Sequence, residues 1–214
     1  MAKRMLYLVL LCSLFATQAK SQPRHELGLI GGLNLANLAS DEMEELGFDL
    51  SSRALFGVGA VADVGLSQRL SLHLGSMYLA KGSKTPDNED PDVEIKVRLT
   101  YLEFPFMLKY TFGRAAARPY VLAGPTLGFR LTAKSHFSGP GIDEEDSIKG
   151  ETKPVDFGFG FGAGVRIPMG NAHLFLETRY RLGLTDIDDT EEDISLKTRD
   201  VQIMTGVTFP IGRK

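Results

Sequence analysis

Between residues 27 and 209 apolar side chains alternate with small or polar ones in eight separate segments. Each is about as long as the roughly 9 to 11 residues that a tilted strand needs to cross bilayer hydrocarbon. A period of two specifies strand, since a helix repeats at 3.6. In one segment Phe157, Phe159, Phe161, Ala163, Val165 and Ile167 share a face, and Asp156, Gly158, Gly160, Gly162, Gly164 and Arg166 share the other. Three aromatics on the wet side of a half-buried strand would be unusual, so the apolar face is expected to meet lipid or a large core.

With the apolar parity outward, the first four segments place Leu27, Leu29 and Leu33, then Phe56 and Val58, then Leu70, Leu72 and Tyr78, then Phe104, Phe106 and Leu108 on the outside. The next four add Val121 and Phe129, the run Phe157 to Ile167, Leu174 with Leu176 and Tyr180, and Ile203 with Val207 and Phe209. Connections 65–69, 113–118 and 168–171 are short, whereas 37–53, 82–98, 134–155 and 185–199 are long. Short periplasmic turns alternating with long outer loops, both termini on the short-turn side, define an even-stranded outer-membrane barrel. The predicted fold is therefore all-β: an eight-stranded, antiparallel, up-and-down transmembrane β-barrel preceded by a signal peptide. Pro105 and Pro125 interrupt strands that have no free edge. The apolar set Val93, Ile95, Val97 and Leu99 lies on the opposite parity to Leu102 onward, which predicts a bulge near Tyr101 or a hairpin standing above the membrane.

The N-terminus supplies the export route. Lys3 and Arg4 precede the apolar stretch from Met5 to Ala16, and Thr17-Gln18-Ala19 is a small-x-small cleavage site. Residues 1–19 are read as a signal peptide and 20–214 as one barrel domain in the outer membrane of a Gram-negative cell. Cys12 is the sole cysteine, so the mature chain has no disulfide, thiolate metal site or thiol nucleophile. A net charge of -3, with no basic stripe interleaved with aromatics, argues against nucleic acid as a partner.

Strands four to seven resemble the outer-membrane β-barrel domain family often called PorT-like or porin-family proteins. The matching words are Tyr101-Leu102-Glu103-Phe104-Pro105 with Leu108-Lys109-Tyr110, and Pro119-Tyr120-Val121-Leu122-Ala123-Gly124-Pro125. The glycine-alternating run from Phe157 to Val165 and the stretch from Glu177 to Thr185 complete them. The family pattern includes both prolines. The resemblance implies an outer-membrane barrel and allows an accessory role in protein secretion or surface assembly.

Eight strands leave no open channel, because side chains fill a barrel of that size. The expected filling is a lumen ion-pair network of Glu103, Lys109, Arg130, Arg166, Glu177, Arg179 and Arg181, since charges so buried require partners. Glu177 and Arg179 share a face about 6.6 Å apart along one strand, and Glu103 and Arg130 lie on adjacent strands. The G-x-G-x-x-A pattern starting at Gly158 is followed by no helix, which removes a dinucleotide reading. His73 and Asp63 face the lumen on the periplasmic side without a Ser-His-acid set on one rim, so no catalytic, cofactor or metal site is expected and the chain is read as a non-enzyme.

Of the 27 Asp and Glu residues, 21 lie in the four long loops. Solvated acidic surfaces are the expected result, with weak divalent-cation binding as a subsidiary reading. The function that follows is structural or interactive: outer-membrane lipid around the barrel and protein partners at the loops. The alternatives are a soluble exported carrier, with the apolar parity turned inward around a small apolar ligand, and a barrel enzyme acting on lipid or peptide.

Overall fold

The computed structural model describes residues 25–39, 51–86, 94–113, 115–139, 142–150, 152–186 and 197–212. The expected signal peptide with its cleavage site, and the acidic runs at 41–45 and 188–193, lie outside the described residues. Nine antiparallel strands form one sheet: β1 His25–Ala39, β2 Ser51–Gly65, β3 Leu70–Pro86, β4 Glu94–Thr111, β5 Arg118–Gly139, β6 Ile142–Ser147, β7 Val155–Met169, β8 Ala172–Gly183 and β9 Lys197–Ile211. Eight of them close a barrel, with β1 paired to β9 and β4 to β5, while β6 pairs only with the outer end of β5.

The faces follow the alternation. Leu29, Phe56, Val58, Phe159, Phe161 and Leu176 stand exposed on the outer surface, and Arg179 and Arg181, each 1% exposed, are sealed inside. A water-soluble carrier would need the reverse, because aliphatic and aromatic side chains facing water have no compensating contact. The chain is thus a membrane barrel. Gly170 adopts φ +62° in the two-residue turn between β7 and β8, where the tight reversal requires a left-handed residue.

Pro105 and Pro125 each sit beside an interruption in the hydrogen-bond ladder. Pairing of β3 with β4 skips the positions opposite Phe104 and Pro105, and a Cβ on the neighbouring Gly75 would lie 2.8 Å from the Pro105 ring. Pairing of β4 with β5 skips Gly124 and Pro125. The missing N–H groups therefore fall where no ladder bond is formed.

The irregularity expected near Tyr101 is present, but its extra residue belongs to the partner strand. Leu99, Tyr101 and Glu103 are all buried, so β4 keeps one inward parity throughout. Thr100 pairs with Thr132 but Tyr101 pairs with Arg130, which makes Leu131 of β5 the extra residue. Much of what reads as loop at 82–98 is strand, because β3 and β4 stay paired out to Pro86 and Glu94. Leu99, Tyr101 and Ala133 form a small core at this end, with Val97 and Ile148 packed against it. Beside it Lys134 ion-pairs with Glu145 on the β5–β6 hairpin, and that hydrogen bond holds the exposed Glu145 carboxyl below its ordinary value.

Candidate functional site

The lumen is filled in three tiers. All six acids outside the long loops, Glu26, Asp63, Glu103, Asp156, Glu177 and Asp200, are buried there, none more than 4% exposed. Each occupies the inward parity of its strand, where the only alternative to an apolar partner is another lumen group. Burying such carboxylates is tolerable only with cations and hydrogen-bond donors close by.

In the outer tier Lys81 Nζ lies 2.8 Å from Glu103, 3.0 Å from Asp200 and 3.5 Å from Asp156. Arg181 approaches the same three acids at 3.1, 3.0 and 3.5 Å, to Glu103, Asp156 and Asp200 respectively. Its Nε also donates to Thr126 Oγ1 at 2.8 Å and its Nη1 to Thr198 Oγ1 at 2.6 Å. These contacts run from β3 to β7 and β9, strands that are not neighbours in the sheet, and so cross the bore. Gly158 is required at one point of the tier: a Cβ there would meet the Arg181 guanidinium at 2.8 Å. Two cations face three carboxylates; Asp200 Oδ2 has both cations as ion-pair neighbours but no hydrogen-bond donor, and Asp200 Oδ1 and Asp156 Oδ1 have no hydrogen-bond partner.

The middle tier is balanced. Asp63 accepts from Lys109 Nζ at 2.7 Å and contacts His73 Nδ1 at 2.7 Å. Arg179 Nη2 lies 2.8 Å from His73 Nε2, and since a guanidinium only donates, His73 Nδ1 carries the ring proton toward Asp63. Arg179 also pairs with Glu177, which accepts from the Tyr120 hydroxyl at 2.9 Å, and Lys109 sits 4.1 Å from the centre of the Tyr120 ring. Ile30, Val61, Met77, Leu79, Phe175 and Met204 pack an apolar cluster on the inward faces of β1, β2, β3, β8 and β9.

At the periplasmic end Glu26 accepts from Arg166 Nη1 and from Thr208 Oγ1, both at 2.6 Å, with His173 Nδ1 at 3.3 Å.

The structure thus brings Glu103 together with Arg181, Glu177 with Arg179, and Lys109 into the middle tier; Arg166 serves the mouth. Arg130 is different. It stands opposite Tyr101, not Glu103, directly below the Leu131 bulge. Its guanidinium turns away from the lumen acids to the carbonyls of Thr152 and Lys149 and to Thr152 Oγ1. The expected Glu103–Arg130 pairing is replaced by Lys81 and Arg181, because the bulge lifts Arg130 to the rim where the β5–β7 connection supplies free carbonyls. Lys81, Asp156 and Asp200 were missing from the expected network. Their signal was present in the sequence: every non-loop acid falls on lumen parity, and Lys81 shares its strand's inward parity with His73. Among the described residues no group of three His, Cys, Asp or Glu side chains is arranged to hold a metal.

A closed, eight-stranded, lipid-facing barrel with a charged interior defines an integral protein of the cell outer membrane. The model of the outer membrane protein beta-barrel domain family matches residues 17–189, and the chain belongs to that family. Similar solved structures include OprG, an outer membrane protein of Pseudomonas aeruginosa, at 11% identity and TM-score 0.50, over 92% of this chain and 99% of that one. Neisserial surface protein A is 14% identical at TM-score 0.45, covering 87% and 97% of the two chains. Ail, the attachment invasion locus protein of Yersinia pestis, is 14% identical at TM-score 0.43, covering 87% and 98%. No curated protein matches the chain in sequence.

Proposed function

We infer that this barrel is a non-catalytic outer-membrane scaffold, closed to solute, whose work is done by the loops it presents at the cell surface. The observation that carries this reading is the outer tier, where Lys81 on β3 reaches Asp156 on β7 and Asp200 on β9 across the bore. The apolar cluster and the second ion-paired tier beneath it support closure to ions. His73 is the side chain best suited to proton transfer, and both its ring nitrogens are engaged, by Asp63 and Arg179. That leaves neither for a substrate and supports a structural role. The resemblance to PorT-like proteins supports an accessory role in protein secretion or surface assembly, with acidic loops as the contact surface.

Two measurements test this. Purified protein in planar bilayers is expected to show no single-channel conductance and to confer no swelling on liposomes in sugar solution; discrete openings in the unmodified protein would refute closure. Cells lacking the protein are expected to lose surface display of secreted cargo while keeping outer-membrane integrity. Unchanged display would remove the secretion role and leave the scaffold reading in place.

A further inference from the structure

The periplasmic mouth of the lumen opens into a polar cavity of about 260 Å³, lined by groups from both flanking turns. Its two acids are already committed: Glu26 is held by Arg166 and Thr208, and Asp63 by Lys109 and His73. Arg118 and Arg69 also line it, and among the described residues neither has an ion-pair partner. Arg118 Nε makes one long bond, 3.3 Å, to Ala115 O, and Arg69 Nη1 one of 3.4 Å to the Tyr110 hydroxyl. Among the described residues these are the only side-chain hydrogen bonds of the two guanidiniums.

The register sharpens this imbalance. Arg118 of β5 stands directly opposite Arg166 of β7 in the ladder, and a like-charge pair in that relation is unfavourable. Glu26 is paired with Arg166, and among the described residues no carboxylate is paired with Arg118. The surplus is positive, it is concentrated in a concave site, and its donors are planar forks suited to tetrahedral oxyanions. The volume admits one phosphate group and several waters, each water taking about 30 Å³. Outside the mouth Tyr110 and Phe112 pack edge to face at 4.9 Å, marking the interfacial level at which lipid phosphates lie.

We propose that the periplasmic mouth of the barrel is a phosphate-binding site, with Arg118 and Arg69 as the principal donors and Arg166 as the positive backing. The phosphate comes from an inner-leaflet phospholipid headgroup or from soluble phosphate, and one experiment separates the two. The full-length barrel is folded in maltoside micelles, which carry no phosphate, and titrated with inorganic phosphate against chloride of equal ionic strength, followed by calorimetry and by ³¹P line width. Saturable binding is expected, weakened by about tenfold in Arg118→Gln, the ratio for one lost charge-assisted hydrogen bond. It should weaken further in Arg69→Gln/Arg118→Gln. Both variants lie at the rim and are expected to keep the heat-dependent gel mobility of a folded barrel. Displacement of bound phosphate by short-chain phosphatidylglycerol, but not by the matching diacylglycerol, assigns the site to a headgroup; retention assigns it to soluble phosphate. Absence of saturation, or equal affinity in the double variant, overturns the proposal.

Discussion

Lys81 contributes most to the lumen, because it is the one ammonium within reach of Glu103, Asp156 and Asp200 and is itself fully enclosed. Lys81→Met would leave three carboxylates with Arg181 alone, an unpaired buried charge that typically costs about 3 to 5 kcal/mol. Urea unfolding of the folded barrel in detergent should show that loss. Asp200→Asn should behave oppositely, at or near neutral stability, because it removes the surplus acid and leaves two cations facing two carboxylates. A large loss in Asp200→Asn would mean that the count of charges is not what governs this tier. The alternation made these side chains visible as inward-facing; it did not pair them. Lys81 and Asp156 are 75 residues apart on non-adjacent strands, a distance no local pattern spans.

The strands were legible as elements because lipid on one side and side chains on the other impose a strict period of two. Their limits were not. Beyond the membrane the constraint changes, and Leu99 turns inward with Tyr101 while Leu102 keeps facing out, so a shift from polar to apolar filling mimics a phase change. The alternation marked the place of the irregularity, near Tyr101, but not that its extra residue, Leu131, lies on the partner strand. Leu99 holds the outer ends of β4 and β5 together through contacts with Tyr101 and Ala133. Leu99→Ala is expected to cost about 2 to 5 kcal/mol locally. Protease nicking at the outer ends of β4 and β5 in intact cells should rise, with the barrel still showing heat-dependent mobility.

For the molecule as a whole, the outer surface is a lipid interface, and a charge placed on it near mid-membrane should be costly. Phe161→Arg, on the exposed face of β7, is expected to destabilise by about 2 to 4 kcal/mol, measured by urea titration in lipid vesicles. The same change at Phe112, near the periplasmic rim, should cost much less, since the penalty falls toward the interface. Sequence alone determined that this chain crosses a membrane as eight strands, which residues face lipid, and that its acids divide between the surface loops and the lumen. Those properties depend on each residue's parity and depth, which local alternation records. Only the closed tertiary structure decided that Lys81 and Arg181 share three acids, that Arg130 leaves the network for backbone carbonyls, and that Arg118 stands beside Arg166 in the β5–β7 ladder. Those relations depend on register around a closed cylinder, where a shift of one residue exchanges every partner.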